Sequence, residues 1–256
     1  MTVPRILHLT WKTKILPDKM RINLELWRKL MPDWELRLYD DADLAHLVKT
    51  HSPQHWDSYC ALAVPIERVD MARPVMLAAV GGVYADLDME PRRALDPLCD
   101  GMDVTLATEP PEHWIDGEPL LSNALMISQH NSTAAGFWRG FLDYIVAHYD
   151  PKRGPVDNTG PKALARYVRE NGPGVQQCKL RIVSACLFNG ALDTAMHPEL
   201  PQLSRGCSWE DAYTVHQWHH TWLAPKESRV RNGFTYIALL ILLIVVGYVA
   251  LLSRRE

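Results

Sequence analysis

The chain has 256 residues, of which 47% are hydrophobic, and a formal net charge of −3 at pH 7. This size and composition suit one domain with a substantial core, and the lack of a long basic stripe argues against a protein that coats nucleic acid. The cysteines are scattered and form no CxxC pair, so we expect buried free thiols, as in a reducing compartment. They are Cys60, Cys99, Cys178, Cys186 and Cys207.

The first segments alternate between strand and helix patterns. Residues 3–11, "VPRILHLTW", alternate apolar and polar positions as a strand does, and residues 17–31 carry apolar side chains at helical spacing. Residues 33–44, "DWELRLYDDADL", alternate again and end in acidic side chains. Strand, helix and strand in this order predict an α/β domain that begins as nucleotide-binding domains do.

A long apolar segment follows at residues 59–80. Its periodicity predicts a helix that is interrupted at Pro65 and bent or split at Pro74, with Gly81 as the C-cap glycine. Further strands are predicted at 83–88 and 103–108, and further helices at 134–149 and 160–171.

The C-terminal segment has a different composition. Residues 234–252, "FTYIALLILLIVVGYVALL", contain no charge and would span roughly 28 Å as a helix, enough to cross a bilayer. The chain is therefore predicted to be a tail-anchored membrane protein, with a domain at 1–225, a basic linker at 226–233, a transmembrane helix at 234–252 and a tail at 253–256. Basic residues are more frequent before the helix than after it, which favours a cytosol-facing domain. They are Lys226, Arg229 and Arg231 before it, and Arg254 and Arg255 after it.

Two carboxylates stand out in "GGVYADLDME", residues 81–90. At the end of a strand, Asp86 and Asp88 would point to one face while Leu87 enters the core. Such a pair can hold Mg²⁺ or Mn²⁺ and, through it, a diphosphate. Alone, a D-x-D sequence is more often a solvated strand end that carries two acids. One helix earlier, Asp70 and Arg73 share a face at i, i+3, where they could also be a surface ion pair.

The surrounding sequence resembles a known family. Residues 66–88, "IERVDMARPVMLAAVGGVYADLD", are similar to the core "I-x-R-A-D-x-x-R-Y-x-x-L-x-x-x-G-G-x-Y-x-D-x-D" of the DXD-containing sugar transferases, which include initiating α-1,6-mannosyltransferases and mannosyl-inositol-phosphorylceramide synthases. Val69 and Pro74 depart from that pattern. The matching positions are Arg68, Asp70, Arg73, Leu77, Gly81, Gly82, Tyr84, Asp86 and Asp88. Other segments that resemble the family lie at 3–13, 31–41, 121–128, 158–164 and 213–223.

The resemblance implies roles for particular residues. Asp86 and Asp88 would carry the metal, with His216 as a further contact to metal or diphosphate, while Asp70 and Arg73 would bind the donor sugar and its phosphates. The remaining donor-site residues are Trp11 against the nucleobase, Tyr84, Gly160 through backbone N–H groups, and Thr221 with Trp222 at the diphosphate. Asn123 would contact the acceptor or the sugar.

Alternatives exist for two of these segments. His216, His219 and His220 could form a zinc site or simple packing, although no cysteine partner or HExxH spacing supports zinc. Gly160 could equally be an ordinary helix start.

The resemblance implies a GT-A-like, Rossmann-type α/β fold and a metal-dependent, retaining glycosyltransferase. With Mn²⁺ or Mg²⁺, it would move a hexose from a nucleotide sugar to a membrane-associated acceptor such as inositol phosphoceramide or another glycolipid. GDP-mannose is the first expected donor. A UDP-hexose donor with a glycoprotein or polysaccharide acceptor is the alternative. No residue stands out as a covalent nucleophile, so we expect a front-face displacement in which the leaving phosphate takes the acceptor proton. The alternatives from a different class of function are a metal-dependent hydrolase or phosphotransferase and a catalytically inactive, membrane-anchored binding module.

Overall fold

A computed structural model describes residues 2–115 and 117–221. The chain divides into two compact units, Met1–His219 and His220–Glu256, and only residues 220 and 221 of the second unit are among those described. The architecture below is that of the first unit. In the described part of the chain, no helix is long and apolar enough to cross a membrane. The transmembrane helix predicted at 234–252 lies outside it.

The first unit alternates strands and helices. The helices are α1 (Asp18–Leu30), α2 (Asp41–His51), α3 (Trp56–Ala61), α4 (Pro65–Val80), α5 (Ser132–His148), α6 (Pro155–Asn158), α7 (Pro161–Arg169) and α8 (Ala185–Phe188). The strands are β1 (Ile6–Thr10), β2 (Glu35–Tyr39), β3 (Gly82–Ala85), β4 (Met89–Pro91), β5 (Val104–Thr108), β6 (Leu121–Ser128), β7 (Leu180–Val183) and β8 (Thr214–His216).

A six-stranded mixed sheet in the order β2-β1-β3-β6-β5-β7 forms the centre of the fold. Strand β6 runs antiparallel to both of its neighbours, while the other neighbouring pairs are parallel. The carboxyl ends of β1, β3, β5 and β7 therefore meet the start of β6 at one edge of the sheet. Such an edge is where open α/β sheets bind ligands. The α/β class expected from the sequence is confirmed.

Hydrophobic clusters cover both faces of this sheet. On one face α2, α4, α5 and α7 pack around Trp138 and Tyr167, and on the other α1 packs around Trp27. Strand β3 is buried on both faces, as expected for a central strand between two layers. This burial fixes the point at which the chain emerges with Asp86.

Two sequence expectations require correction, one on Pro74 and one on the cysteines. Pro74 does not split its helix, since α4 continues through it with buried side chains on both sides that pack against the sheet and α5. The interruption predicted at Pro65 is confirmed, since α3 ends at Ala61 and Pro65 occupies the first turn of α4, where its missing N–H costs nothing. Gly81 does end α4, with φ of +70°.

The expectation of five free thiols is wrong for one pair. Cys186 and Cys207 form a disulfide, because the fold brings α8 and a distant loop together with their Cα atoms 4.9 Å apart. Their separation of 21 residues gave no motif in the sequence. Cys60 is exposed, Cys99 buried and Cys178 half-buried, all as free thiols.

Candidate active site

The acidic pair lies in a tight turn between β3 and β4. The Asp86 N–H donates to the Ala124 carbonyl at 2.8 Å, which ties the turn to β6, and the Met89 N–H donates back to the Asp86 carbonyl at 3.0 Å. Leu87 is buried, as the sequence predicted. The curvature of this turn therefore brings both carboxylates to one site. The sequence predicted that the alternation of side chains along an extended strand would do so.

His216 reaches the same site from a segment far along the chain. Strand β8 pairs antiparallel with β4, and His216 lies opposite Met89. The Asp88 carbonyl accepts from the Gln217 N–H at 2.9 Å, and the Asp88 carboxylate accepts from the His219 N–H at 3.0 Å. This small two-stranded sheet closes the site beside the acidic turn.

Asp86, Asp88 and His216 converge closely enough to bind one ion. Each offers one ligand atom, and these atoms lie within 4.8 Å of one another. Two carboxylates and one imidazole suit Mn²⁺, and with more water ligands Mg²⁺. His216 is nearly buried, and its Nδ1 has no hydrogen-bond partner among the described residues. A polar atom of this kind needs an explanation, so the donor set fits a divalent cation.

Burial and the neighbouring charges shift the pKa values of the two carboxylates in opposite directions. Burial raises the pKa of Asp86 to about 6, against the opposing charge of Arg73. Burial also acts to raise the pKa of Asp88, but the hydrogen bond and charge of His216 outweigh it and hold that pKa well below its usual range. Burial acts to lower the pKa of His216, and Asp88 reverses this and raises it. Asp88 Oδ1 lies 3.4 Å from His216 Nε2, and an ion that uses this imidazole must displace any proton bound to the ligating nitrogen.

Arg73 supports the acidic turn from α4. Its guanidinium is 2.9 Å from Asp86 Oδ1 and 3.3 Å from Asp70 Oδ1, and it donates to the Asn123 carbonyl at 2.9 Å. Only 4% of the residue is exposed. The sequence predicted that Arg73 and Asp70 bind the donor. In the structure these contacts fix the position of Asp86, and Arg73 Nε is buried without a hydrogen-bond partner among the described residues. Donor binding by this pair stays a prediction.

Asp70 is held by two side chains from other elements. It accepts hydrogen bonds from Asn123 Nδ2 at 3.1 Å and from Thr159 Oγ1 at 2.8 Å. Burial raises the pKa of Asp70, against the opposing charge of Arg73. Asn123, predicted to contact the acceptor or the sugar, here links β6 to α4. Thr159 was not predicted, although the segment around it was part of the family resemblance.

Tyr84 lies beneath Asp86. Its hydroxyl donates to Asp86 Oδ1 at 2.6 Å and accepts from Thr10 Oγ1 at 3.0 Å. The Arg73 guanidinium lies over its ring at 4.7 Å. Tyr84 is fully buried and positions Asp86 through its hydroxyl, and its contact with the donor stays a prediction.

The other predicted donor-site residues lie in separate parts of the chain. Trp11 follows β1 at the same edge of the sheet, half-buried against the α1 side of the core. The Gly160 N–H donates to the Pro155 carbonyl at 2.9 Å, and the next residue is Pro161. This helix start contacts the site through Thr159, and its contact with the nucleotide stays a prediction. Thr221 belongs to the second unit, and Trp222 lies outside the described residues.

Comparisons with known proteins show which family the sequence around this site resembles. Residues 17–105 match the family model described as a glycosyltransferase sugar-binding region containing a DXD motif. This segment includes α4 and the acidic turn. The match confirms the resemblance found in the sequence.

The curated relatives narrow the comparison further. Inositol phosphoceramide mannosyltransferase 3 of Schizosaccharomyces pombe is 36% identical over 96 residues, which are 38% of this chain and 27% of that protein. Mannosyl phosphorylinositol ceramide synthase SUR1 of Saccharomyces cerevisiae is 35% identical over 96 residues, 38% of this chain and 25% of that protein. The matched segment thus covers about a quarter of each relative.

Solved structures share the fold. The ligand-free glycosyltransferase domain from the YGT toxin aligns with a TM-score of 0.52 at 10% identity, covering 71% of this chain and 80% of that one. Its UDP-bound form aligns with a TM-score of 0.50 at 10% identity, covering 71% and 79%. The GT-A-like α/β fold expected from the sequence is therefore confirmed.

Proposed function

We propose that the chain is a metal-dependent, retaining glycosyltransferase that moves a hexose from a nucleotide sugar to a hydroxyl of a membrane-associated acceptor. The observation that carries this proposal is the convergence of Asp86, Asp88 and His216 at the ligand-binding edge of a glycosyltransferase sugar-binding region. The names of the curated relatives favour mannose as the sugar and inositol phosphoceramide as the acceptor. GDP-mannose is the first donor to test, with UDP-glucose and UDP-galactose next.

The chemistry assigns a role to each group at the site. A divalent cation held by Asp86, Asp88 and His216 would stabilise negative charge on the departing diphosphate. Arg73 and Tyr84 hold Asp86 in a fixed orientation, so little reorganisation is needed when substrate binds. The bond from the anomeric carbon to the phosphate oxygen breaks, and its electron pair leaves with the nucleoside diphosphate. The acceptor oxygen bonds to the same face of that carbon, and its proton passes to the departing phosphate oxygen.

The predicted anchor at 234–252 belongs to the same proposal, because it would hold the site close to a lipid acceptor. An acceptor held in a membrane is dilute when averaged over the whole solution. An enzyme anchored in the same membrane meets it at a high local concentration.

The test is a donor panel of GDP-mannose, UDP-glucose and UDP-galactose with Mn²⁺, scored by thermal shift and by release of the sugar. We expect one nucleotide class to stabilise the wild-type chain. Asp88→Asn should lower turnover at least about 100-fold, because cation stabilisation of the diphosphate supplies several kcal/mol. Asp100→Asn is the matched control, since Asp100 is an exposed loop residue away from the site.

Three outcomes separate the alternatives. Full activity in Asp88→Asn contradicts the metal site. Failure of the wild type to respond to any donor contradicts the glycosyltransferase proposal and favours a binding module. Release of sugar to water alone, with every acceptor refused, favours the hydrolase that the same carboxylates would permit.

A further inference from the structure

A second polar cluster lies at the same edge of the sheet as the acidic turn. Glu109 directly follows β5, and its N–H donates to the Leu120 carbonyl at 2.9 Å, which fixes the backbone there. Strand β5 runs in the same direction as β3, with only β6 between them. Two interstrand spacings separate the ends of β3 and β5 by roughly 10 Å. This is about the span of one sugar ring and the group to which it is transferred.

A continuous row of side chains connects this cluster to the candidate metal site. The ring of His216 lies 3.8 Å from the ring of Trp218, whose ring in turn meets His113 edge-on at 4.8 Å. His113 Nδ1 is 3.8 Å from Glu109 Oε2. The row forms one wall from Asp88 to Glu109.

Trp218 is held in place against backbone preference. Its φ is +50°, a left-handed conformation that bulky side chains rarely adopt. Its indole N–H donates to the Ala191 carbonyl at 2.8 Å. Strained residues of this kind cluster where surrounding structure specifies a functional surface, so the wall is a specified feature of the site.

The polar groups at the far end of the wall are buried and incompletely paired. Glu109 is 5% exposed, and its Oε2 accepts from Asn189 Nδ2 at 2.9 Å. Asn189 is fully buried, and its Oδ1 has no hydrogen-bond partner among the described residues. Burying a carbonyl oxygen without a donor costs stability. Neither side chain is among the ligand residues of the candidate metal site, Asp86, Asp88 and His216.

We propose that Glu109 and Asn189 form an acceptor subsite that receives adjacent hydroxyl groups of a polyol. This inference rests on the proposed function and specifies its acceptor side. A carboxylate and an amide carbonyl are both acceptors, which suits the two O–H donors of a vicinal diol. Glu109 orients the acceptor and takes no proton, since the proton of the attacking hydroxyl leaves on the phosphate oxygen. A polyol held here would face a sugar bound through the acidic turn.

The test separates acceptor binding from donor turnover. Wild type and Glu109→Gln are assayed with the donor panel and Mn²⁺, first in water alone and then with inositol phosphoceramide in detergent micelles, myo-inositol 1-phosphate or methyl α-mannoside. We expect Glu109→Gln to keep hydrolysis of the donor within about twofold and to lose at least tenfold in transfer, mainly as a raised KM for the acceptor.

Glu112→Gln is the matched control. Glu112 lies three residues further along and binds Ser204 and the backbone of Arg205, so it tests the packing of the same loop without touching the polar cluster. It should leave hydrolysis and transfer unchanged. If Glu109→Gln does not fold, Glu109→Asp retains the charge with a shorter reach, and it should lower transfer while preserving hydrolysis.

Each result has a definite meaning. A parallel loss of hydrolysis and transfer in the Glu109 variants, or no loss of transfer, overturns the acceptor subsite. A wild type that hydrolyses a donor and transfers to none of the three acceptors contradicts the transferase itself in favour of the hydrolase, and the acceptor subsite fails with it. A wild type that neither binds nor hydrolyses any donor overturns the proposed function itself, which distinguishes the two failures.

Discussion

Tyr84 connects the core of the protein to the acidic turn through a single hydroxyl group. That hydroxyl donates to Asp86 and is itself supported by Thr10. Tyr84→Phe removes the hydroxyl while keeping the ring beneath Arg73. Groups that orient a metal ligand typically contribute 10- to 100-fold to affinity or activity. We therefore expect Mn²⁺ affinity, measured by calorimetry with the nucleotide present, to fall about tenfold with an unchanged circular dichroism spectrum.

Tyr144→Phe is the matched control for this change. Tyr144 also donates its hydroxyl to a carboxylate, that of Glu170, on the helical side of the molecule. Loss of the Tyr144 hydroxyl should leave the affinity for Mn²⁺ unchanged. Equal effects of the two substitutions would mean that Tyr84 acts through general stability.

His8 makes folding stability depend on pH. Its Nε2 donates to the Gly81 carbonyl at 2.8 Å, so its Nδ1 accepts from the Tyr39 hydroxyl at 3.0 Å. Burial lowers the pKa of His8 from 6.5 to about 4. The unfolded chain therefore binds a proton that the folded chain refuses, and the contribution of His8 is complete above pH 6.5 and lost as the pH falls toward 4.

The expected loss between pH 7.5 and pH 4.5 is about 2 to 3 kcal/mol in the free energy of unfolding. Urea denaturation of the wild type and of His8→Gln across this range measures it as the difference between the two pH slopes. His51→Gln, at an exposed position, should keep the wild-type slope. An unchanged slope in His8→Gln would show that other groups produce the pH dependence.

The sequence predicted some site residues because they form local patterns, and missed those that form none. Asp86 and Asp88 are two positions apart after an apolar strand, so their proximity follows from the chain itself. Thr159 and Glu109 are isolated polar residues whose partners become visible only when α4, β5 and α8 are brought together. Helical spacing placed Asp70 and Arg73 on one face, but it could not show that other elements bury that face.

At the scale of single elements, α5 contains two glycines one turn apart in very different surroundings. A Cβ at Gly136 would meet nothing within 4 Å, whereas one at Gly140 would overlap the Pro173 carbonyl and come within 2.6 Å of the Tyr167 hydroxyl. Gly136→Ala should raise the free energy of unfolding by about 0.5 to 1 kcal/mol, because alanine restricts the unfolded chain and favours helix. Gly140→Ala should lower it by about 2 kcal/mol or more, through overpacking.

Thermal and urea denaturation of the two variants check this contrast, and each serves as the control for the other. Similar shifts in both would mean that helix propensity alone governs α5. Shifts of opposite sign would show that α7 and the loop after it pack directly against the backbone of this helix.

Elements with a clear period were predictable, and elements defined by distant pairing were not. Strands β1 to β3 and helices α1, α4, α5 and α7 follow patterns of two or 3.6 residues that the sequence displays. Strands β4 and β8 have three residues each and exist because they pair with one another across more than 100 positions. The antiparallel direction of β6 likewise depends on its neighbours, since no local signal distinguishes it from a parallel strand.

At the scale of the whole molecule, the disulfide bears on the cellular environment of the domain. Disulfides persist in oxidising compartments and are rare in reducing ones. The Cys186–Cys207 bridge and the basic residues that flank the predicted membrane helix therefore favour opposite orientations of the domain. The bridge also supports the site, because α8, which contains Cys186, holds the start of β8. The Tyr213 N–H donates to the Leu187 carbonyl, and the Thr214 hydroxyl donates to the Phe188 carbonyl.

The bridge leads to a prediction about the purified chain. Without reductant, titration in denaturant should count three free thiols among the five cysteines. Because the bridge closes a loop of 21 residues, the double variant Cys186→Ser and Cys207→Ser should lose about 3 kcal/mol in the free energy of unfolding. Cys60→Ser, at an exposed free thiol, should change it by less than about 0.5 kcal/mol. Five free thiols in the wild type, or equal stability of the double variant, would contradict the bridge and restore the expectation of a reducing compartment.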